Sequence, residues 1–402
     1  MKLSELRSTV HLRAFDTDRV ARVLARSHSI GDLRREAQRA LPASVFDYVE
    51  GGADEEATVL ANVAAFRSRQ FQPRSLHDVS QVDTSSSIFG RPTSLPLGLA
   101  PTGYTRMMHP RGEMAVARAA ATKQVPYVLS TVSTTTLEDV AAVAQADTWL
   151  QIYLLRERRY TWNMLDRAAA SGIDVIEFSV DTAVSGRRVR DLRNGLTIPP
   201  SISASTLIDI GMHPRYWTSM MRAPVLAFAN LADLDVPGNT ISDITAQFDD
   251  ALTWSDLEAV RARWPGRLVV KGPLSADDAL RAKEVGVDGI HLSNHGGRQL
   301  DRCVPTLDLV APVRDAIGPE TTVIVDSGIR HGMDIAVALA TGADFVMCGR
   351  PYLYGVAAAG ERGVTHAIDI LGNEFRRTLQ LLGVSSIAEL KANADHLITR
   401  KD

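Results

Sequence analysis

The sequence predicts a TIM barrel, a closed ring of eight parallel strands that are each followed by a helix. Eight short apolar runs, rich in β-branched residues, recur along the chain. They show little polar alternation, as expected for strands that are buried on both faces. The segments between them, such as GEMAVARAAATKQ and SADDALRAKEVG, carry apolar residues at helical spacing. Repeated strand-then-helix units in one chain are typical of this barrel.

The predicted strands follow one another in chain order. They are LPLGLAP (95–101), YVLST (127–131), WLQIY (149–153), VIEFSVD (175–181), RLVVKG (267–272), GIHLSNH (289–295), TVIVDSG (322–328) and FVMCGR (345–350). The interval after the fourth run is far longer than an ordinary connection, so we expect an insertion at about 183–265 that acts as a lid or docking element. We divide the chain into an N-terminal extension of unassigned role (1–30), a barrel domain with an N-terminal helical segment (31–390) and a C-terminal tail (391–402).

The composition excludes several classes of protein. The chain has 402 residues, of which 45% are hydrophobic and 23% are charged, as in a soluble globular protein with a large core. The formal net charge is -3 and the basic residues are scattered, which gives no support for nucleic-acid binding. Cys303 and Cys348 are too few for a disulfide scaffold or a cysteine-rich zinc site.

The same sequence indicates where the protein acts. The first residues have no apolar core long enough for a signal peptide, and no later window approaches a membrane-spanning run. We therefore expect a cytoplasmic protein. Any contact that it makes with the membrane is expected to be peripheral and at the inner face.

Polar residues stand at the ends of the eight runs. Catalytic groups of TIM barrels lie at the carboxyl ends of the strands. The residues at these ends are Thr102, Ser130, Gln151 with Tyr153, Ser179 with Asp181, Lys271, Ser293 with His295, Asp326, and Arg350. Polarity returns at the end of any buried strand, but eight such ends together predict an active site.

Several motifs carry a family resemblance. They are DYVEGGA (47–53), APTG (100–103), QIY (151–153), SVDTAVSGRR (179–188), VKG (270–272), SNHGGRQLD (293–301), DSGIRHG (326–332) and GRP (349–351). In this order and spacing, the chain resembles the FMN-dependent L-2-hydroxy-acid dehydrogenase and oxidase family from about residue 31 to 390. That family contains glycolate oxidase, quinone-linked L-lactate dehydrogenase and (S)-mandelate dehydrogenase. SNHGGRQLD is the most specific of the motifs.

The resemblance assigns catalytic and substrate-binding residues. Oxidation of a 2-hydroxy acid removes a hydroxyl proton and a hydride equivalent, which requires a base, a carboxylate clamp and an electron sink. By resemblance, His295 is the base and Asp181 holds its ring. Arginine matches a carboxylate with two parallel hydrogen bonds, and Arg188 and Arg298 occupy the clamp positions. Two tyrosines complete the set: Tyr48 at the substrate carboxylate and Tyr153 near the substrate hydroxyl.

The same resemblance implies FMN as the electron sink and no metal. Lys271 is expected to stabilise the negative charge of the reduced flavin ring. The ring edge is expected to contact Pro101, Thr102, Gly103, Ser130, Gln151, Ser179 and Ser293. The phosphate is expected at the ends of the seventh and eighth strands, against Asp326, Gly328, Arg330, Gly349 and Arg350.

The substrate, acceptor and assembly stay open at this stage. Gly103 stands where mandelate dehydrogenases have glycine and oxidases commonly have alanine, which favours a dehydrogenase that uses a quinone or another acceptor over an oxidase that produces hydrogen peroxide. Val132 replaces the bulky tryptophan of glycolate oxidase, so lactate-like and mandelate-like substrates both fit. A barrel isomerase or lyase that binds a sugar phosphate would leave the base and clamp unexplained. The apolar stretch 204–234 suggests peripheral membrane contact, and the family's habit suggests a homotetramer.

Overall fold

The prediction of a TIM barrel is confirmed. The computed structural model describes residues 17–144, 148–195, 208–209, 211–231 and 246–400. Its strands are β1 Arg69–Phe71, β2 Ser86–Ile88, β3 Arg91–Thr93, β4 Leu97–Leu99, β5 Tyr127–Ser130, β6 Thr148–Ile152, β7 Val175–Ser179, β8 Arg267–Gly272, β9 Gly289–Leu292, β10 Thr322–Val325, β11 Phe345–Cys348 and β12 Ile398–Arg400. Strands β4 to β11 close into a parallel barrel in which β4 pairs with β11, so each predicted run supplies one barrel strand.

Helices cover the outside of the barrel. They are α1 Arg19–Ala25, α2 Ile30–Ala40, α3 Ala43–Glu50, α4 Ala57–Arg67, α5 Gly112–Lys123, α6 Leu137–Ala144, α7 Arg158–Ala170, α8 Val189–Arg193, α9 Pro214–Met221, α10 Trp254–Arg263, α11 Ala276–Val285, α12 Thr306–Ile317, α13 Gly332–Thr341, α14 Arg350–Leu382, α15 Ile387–Ala392 and α16 Ala394–Leu397. Local signals set their ends: Ser275 and Asp278 form a capping box before α11, and Gly286 ends it in the left-handed conformation.

Alternation along each strand separates two cores. Inward-facing side chains such as Val128, Trp149, Ile324 and Phe345 fill the barrel, whereas the outward faces pack against the helices. The hairpin β2–β3 closes the amino-terminal end, where Phe89 packs against Trp149 with ring centroids 5.5 Å apart. The opposite end, at the strand carboxyl termini, is therefore the open one.

The terminal segments pack onto the barrel. The hydroxyl group of Tyr354 in α14 donates a hydrogen bond to Glu50 at the end of α3, at 2.7 Å. At the other end of the chain, β12 pairs antiparallel with β1. The tail that we separated at 391–402 thus continues, as far as residue 400, as helix and strand attached to the domain.

The long interval after β7 contains helices rather than one continuous loop. Its last part is α10, which begins with a capping box of Thr253 and Asp256 and stands between β7 and β8 as an ordinary barrel helix. Before it, the Tyr216 hydroxyl of α9 donates to the Met107 carbonyl at 2.8 Å, and Asn230 accepts a hydrogen bond from the Leu137 amide at 2.8 Å. The parts of the predicted apolar stretch at 204–207, 210 and 232–234 lie outside the described residues.

No helix in the described part of the chain combines the length and apolarity that crossing a bilayer requires.

Candidate active site

A cavity lies at the open end of the barrel. Its volume is ≈ 1120 Å³ when the solvent at its mouth is included, which is in the size class of small-molecule sites. The predicted site residues that line it are Tyr48, Pro101, Thr102, Gly103, Ser130, Tyr153, Arg188, Lys271, His295, Arg298, Asp326, Gly328, Arg330, Gly349 and Arg350. Four other predicted residues do not line it. Gln151, Asp181 and Ser293 are hydrogen-bonded to or paired with lining residues, and Ser179 is hydrogen-bonded to Gln151.

His295 and Asp181 form a pair at one side of the cavity. Nδ1 of His295 lies 3.2 Å from Oδ2 of Asp181, whose side chain is 4% exposed. Burial lowers the pKa of His295 below its ordinary value; the Asp181 carboxylate opposes this shift and the Lys271 charge adds to it. The ring is therefore neutral near pH 7, with Nε2 free of the Asp181 contact. Such a ring can accept a proton, and its partner carboxylate favours the imidazolium that results.

The turn that presents His295 depends on unusual backbone geometry. His295 itself has a φ of 58°, a conformation that costs a non-glycine residue energy and that is held only by its surroundings. The Asn294 side chain accepts a hydrogen bond from the Gly297 amide at 3.1 Å and exchanges two 2.8 Å hydrogen bonds with Asn62 of α4. A Cβ atom on Gly297 would lie 2.8 Å from the Val59 amide nitrogen, so this position requires glycine.

The sequence reasoning assigned no role to Asn294, Gln299 and Asp301, although all three lie within SNHGGRQLD. Gln299 donates from Nε2 to the carbonyl groups of Asp181 and Val184, both at 3.0 Å, and its Oε1 accepts from the Gly186 amide at 3.1 Å. It therefore ties the segment after β7 to the His295 turn. The density of polar residues in the motif is a sequence signal that could have identified this role.

Asp301 has a different structural task. Its carboxylate accepts hydrogen bonds from the backbone amides of Thr58 at 2.8 Å and Ala57 at 3.3 Å, at the start of α4. A carboxylate at a helix amino terminus satisfies free amide groups and favours the helix dipole. The last residue of the motif thus attaches the N-terminal helices to the edge of the cavity.

Two arginines lie close together on the cavity wall. Nη1 of Arg298 donates to the Tyr48 carbonyl at 2.5 Å and to the Gly51 carbonyl at 3.0 Å, and its guanidinium carbon lies 4.9 Å from the centroid of the Tyr48 ring. Burial, followed by the nearby charge of Arg188, lowers the pKa of Arg298 to about 10. Nε of Arg188 is buried without a hydrogen-bond partner. An anionic ligand between them would relieve both conditions.

Lys271 supplies a buried cation at the end of β8. Burial alone would lower its pKa, but the carboxylates of Asp181, Asp326 and Glu177 raise the pKa above its ordinary value. The side chain therefore stays charged although it is 3% exposed. A fixed positive charge on the cavity floor stabilises negative charge in whatever lies above it.

A hydrogen-bonded row of polar side chains runs beside Lys271. The Ser130 hydroxyl donates to Oε1 of Gln151 at 3.2 Å, and Nε2 of Gln151 donates to the Ser179 hydroxyl at 3.1 Å. This pattern fixes the orientation of the amide of Gln151. Thr102 is paired differently, through its hydroxyl, with the Tyr352 hydroxyl at 2.6 Å.

Arg330 and Arg350 form a second cationic pair, at the ends of β10 and β11. Arg350 is held by the carbonyl groups of Val49, Gly296 and Gly51 at 2.8–3.0 Å, and burial together with the Arg330 charge lowers its pKa. Gly349 begins α14, and a Cβ atom there would meet only Thr102 Cγ2, at 3.7 Å. Backbone amides at this helix start are thus open to an anion.

The charge balance of the cavity favours an anionic occupant. Among the described residues, no carboxylate oxygen lies within 4.0 Å of the charged nitrogens of the five cations that line it, which are Arg188, Lys271, Arg298, Arg330 and Arg350. Buried cations without a partner are costly. The two arginine pairs therefore suit two anionic groups.

The insertion contributes an apolar wall to the cavity. Phe228 packs against Tyr104 with ring centroids 4.6 Å apart, and Phe248 packs against Tyr153 with centroids 4.3 Å apart. Val132 lies on the same lining. The sequence reasoning had no means of placing either phenylalanine here, because both belong to a segment without a strand pattern.

Gly103 and Val132 are in close contact. A Cβ atom on Gly103 would lie 2.7 Å from Cγ2 of Val132 and 3.3 Å from the Val132 carbonyl oxygen. Gly103, which bears on the acceptor, and Val132, which bears on substrate size, are thus not independent. A larger residue at position 103 would require Val132 to move.

Comparison with known sequences identifies relatives over nearly the whole chain. A family model described as FMN-dependent dehydrogenase matches residues 37–397. A relative from Mycobacterium tuberculosis, provisionally named as an L-lactate dehydrogenase, is 45% identical over 377 residues, which are 94% of this chain and 90% of that protein. The L-lactate dehydrogenase of Caulobacter vibrioides is 39% identical over 367 residues, which are 90% of this chain and 96% of that protein.

Solved structures agree with these relatives. The monotopic membrane protein (S)-mandelate dehydrogenase shares the fold with a TM-score of 0.87 and 36% identity, covering 93% of this chain and 99% of that one. Mandelate oxidase has a TM-score of 0.79 and 36% identity, covering 92% of this chain and 98% of that one. With the family match over most of its length, the chain belongs to the FMN-dependent dehydrogenase family and is an FMN-dependent oxidoreductase.

Proposed function

We propose that this enzyme oxidises an L-2-hydroxy acid, lactate-like or mandelate-like, to the 2-oxo acid. The observation that carries the proposal is the placement of His295, with its partner Asp181, in one cavity with the arginine pair Arg188 and Arg298. A base beside a carboxylate clamp is what a hydroxy acid requires. The names of the relatives, lactate and mandelate dehydrogenases, support the same class of substrate.

The cavity fits FMN on the side away from the clamp. Arg330, Arg350 and the amides at the start of α14 would hold the phosphate, and Gly328 and Asp326 would lie beside it. Lys271, with Pro101, Thr102, Gly103 and the row Ser130–Gln151–Ser179 and Ser293, would border the flavin ring. When bound, FMN would accept the α-hydrogen of the substrate together with two electrons, as a hydride equivalent.

The clamp orients the substrate by its carboxylate. Arg298 is already fixed by two backbone carbonyl groups and by the Tyr48 ring, so little side-chain entropy is lost when a carboxylate binds. Arg188 brings a second guanidinium with an unpaired Nε. A carboxylate bound to both places the α-carbon and hydroxyl near His295, and Tyr153 lies on the same wall to contact the hydroxyl.

His295 then takes the hydroxyl proton on Nε2. Because burial lowers its pKa, the ring is in its basic form near neutral pH. After the transfer, the Asp181 carboxylate stabilises the protonated ring. Burial alone would raise the pKa of Asp181, but the charges of His295 and Lys271 lower it below its ordinary value. Asp181 therefore acts as the carboxylate partner of the imidazolium and keeps no proton of its own.

The apolar wall faces the substrate's side chain. Val132, Phe228 and Phe248 offer hydrophobic surface instead of polar partners, so an aryl or alkyl side chain gains from burial there and a polar one does not. This supports hydroxy acids with a side chain larger than that of glycolate.

The physiological acceptor is, in our proposal, a quinone or another non-oxygen acceptor. Gly103 supports a dehydrogenase through the family resemblance, and the relative with a TM-score of 0.87 is a dehydrogenase. The alternative is an oxidase that produces hydrogen peroxide, which the similarity to mandelate oxidase favours. An isomerase or lyase barrel is no longer supported, because the family match indicates FMN-dependent oxidation.

Peripheral membrane contact through the insertion is part of this proposal. Ile208, Met212, Met221 and Val225 are 66–88% exposed, and the exposed Arg222 follows α9 directly. Exposed apolar residues beside basic ones suit a lipid interface, and the structural relative is a monotopic membrane protein.

Met221→Glu/Val225→Glu should weaken co-sedimentation with phosphatidylglycerol vesicles, whereas Leu76→Glu, at an exposed leucine elsewhere, should not. Equal loss in both variants would contradict contact at this segment.

Two expectations stay predictions. They are a homotetrameric assembly, which the resemblance implies, and a cytoplasmic location with peripheral contact at the inner face of the membrane, which the sequence alone suggests. Analytical ultracentrifugation of the purified protein measures the first, and fractionation of cells measures the second.

An anaerobic bleaching assay tests the proposed function. The purified holoenzyme should be yellow, and a panel of L-2-hydroxy acids should bleach the flavin absorbance without oxygen, with lactate or mandelate among the fast ones. Their D-enantiomers serve as matched controls, because holding the carboxylate in the clamp and the hydroxyl at the base would direct the α-hydrogen of only one enantiomer toward the flavin. A yellow protein that no L-2-hydroxy acid bleaches would contradict the substrate class while leaving the family assignment intact.

A further inference from the structure

An ion pair lies inside the barrel, below the floor of the cavity. Nδ1 of His291 in β9 lies 2.7 Å from Oε2 of Glu177 in β7, and neither side chain has any exposure. Strand β8 runs between them and carries Lys271, which is in register with His291. Lys271 lines the cavity, whereas neither His291 nor Glu177 does.

The second ring nitrogen of His291 faces the cavity layer. Nε2 lies 3.3 Å from Oδ2 of Asp326, which is close enough for an ion pair. The geometry between the two atoms is not that of a hydrogen bond. The other oxygen of Asp326 accepts a hydrogen bond from the Ser327 hydroxyl at 2.6 Å. His291 thus stands between a fully enclosed carboxylate and one that lines the cavity.

The enclosed ion pair of Glu177 and His291 lowers the stability of the fold relative to an apolar pair. Neighbouring side chains inside the barrel, such as Val128, Trp149 and Ile324, are apolar, and an apolar pair of similar volume would avoid the desolvation of two charges. Oε1 of Glu177 also has no hydrogen-bond partner. Stability alone therefore gives no reason for charges at these two positions.

The charges on either side of Lys271 suggest the reason. Without His291, the carboxylates of Asp181, Asp326 and Glu177 would all act on the single ammonium group of Lys271. With it, a second cation lies between Glu177 and Asp326. Burial alone would lower the pKa of His291, but Glu177 and Asp326 raise it to about 9, so the ring carries its proton at neutral pH.

We propose that His291 is a positioning residue for the flavin: it draws the Asp326 carboxylate toward itself and leaves the charge of Lys271 available to the ring above. Glu177 keeps His291 in place. The inference rests on the proposed function in that Lys271 and Asp326 border FMN. Since reduction adds negative charge to the flavin, a cavity floor that is less positive makes reduction harder. Loss of His291 should therefore lower the reduction potential of bound FMN.

Two variants of the FMN holoenzyme test this inference: His291→Gln, and the double variant Glu177→Gln/His291→Gln. Both are titrated with a chemical reductant against a reference dye, so no hydroxy acid is involved. We expect the ratio of reduced to oxidised FMN at fixed dye potential to fall about tenfold in His291→Gln, which is about 30 mV for a two-electron couple. The ratio should fall less in the double variant, because the negative charge of Glu177 is lost together with the positive charge of His291. The melting temperature should fall further in His291→Gln, because only there Glu177 is left without a partner.

A remote variant separates electrostatics from damage to the fold. Asp344 accepts from the Val323 amide at 3.0 Å and from Arg314, at the amino-terminal end of the barrel. Asp344→Asn should lower the melting temperature and leave the FMN potential unchanged. A wild-type potential in His291→Gln, or an equal shift in Asp344→Asn, would overturn the role of His291. If the shift is found in an enzyme that oxidises no hydroxy acid, the proposed substrate is wrong and this inference stands.

Discussion

Nδ1 of His295 lies 3.2 Å from Oδ2 of Asp181, although 114 residues separate the two in the chain. His295 stands in the turn after β9 and Asp181 two residues after the end of β7. The contact orients the ring so that Nε2 is left for a substrate. It also makes the pKa of each group depend on the other.

The pH dependence of kcat/KM should report His295. The base is active when neutral, so activity is present above its pKa and is lost as the pH falls through it. Because burial lowers this pKa, the acidic limb should lie below about pH 6.5, the ordinary value for histidine. In Asp181→Asn the carboxylate that raises the pKa is gone, so the limb should move to still lower pH while kcat falls. A limb that moves to higher pH would argue against the pairing.

Removal of the base should abolish most turnover without loss of the cofactor. His295→Ala should retain FMN and bind a substrate-like acid, since the arginines that we assign to each are unchanged. General-base catalysis contributes about 10²- to 10⁴-fold, so kcat should fall by at least this range. Stopped-flow flavin reduction measures the step directly. Near-normal reduction by the variant would show that another group takes the proton.

The clamp should depend on the geometry of arginine as well as its charge. Arg298→Lys keeps a cation but loses one charge-assisted hydrogen bond, worth about 1.5–3 kcal/mol, which is about 10- to 160-fold in kcat/KM. KM should rise and kcat should fall together, because the carboxylate also sets the position of the α-carbon. The matched control is Arg187→Lys, whose side chain is 72% exposed. Equal effects in both variants would place the substrate carboxylate elsewhere.

Gln299 should matter for catalysis although it does not line the cavity. Gln299→Ala removes its hydrogen bonds to the carbonyl groups of Asp181 and Val184, which loosens the segment that carries Asp181 and Arg188. We expect a higher KM and a lower kcat with unchanged FMN affinity. Gln299→Glu should be more harmful, since it sets a carboxylate oxygen against two carbonyl oxygens. Wild-type kinetics in Gln299→Glu would exclude this role.

The acceptor can be decided by reoxidation of the reduced enzyme. We expect rapid electron transfer to a quinone analogue and slow transfer to oxygen, as the resemblance at Gly103 implies. Rapid reoxidation by air with stoichiometric peroxide would replace the dehydrogenase proposal with an oxidase.

The contact of Gly103 with Val132 gives a prediction about packing. Gly103→Ala should lower the melting temperature, because the added methyl group would overlap Cγ2 of Val132. Gly103→Ala/Val132→Ala should restore part of the melting temperature, because the second change removes Cγ2.

Much of the site was predictable because its residues stand at the ends of strands. Lys271 and His295 each follow an apolar run, and such ends meet at one face of a TIM barrel. The residues that were not predicted lie within the strands, in the insertion, or, like Gln299, in the turn after β9. His291 appears in the sequence as one polar residue in a buried run, and Phe248 belongs to a segment with no period. Neither pattern indicates what the side chain will touch.

The sequence by itself determined the eight strands, the helices between them and the face on which the polar strand ends gather, because apolar spacing and capping residues act over a few positions. Only the tertiary structure decided which side chains meet. The ion pair of Glu177 and His291, the contact of Gly103 with Val132 and the three hydrogen bonds of Gln299 each join residues that are distant in the chain. Such contacts depend on how the barrel closes and on the register of its strands, because these decide which distant side chains lie next to each other. A pattern of a few neighbouring residues does not predict them.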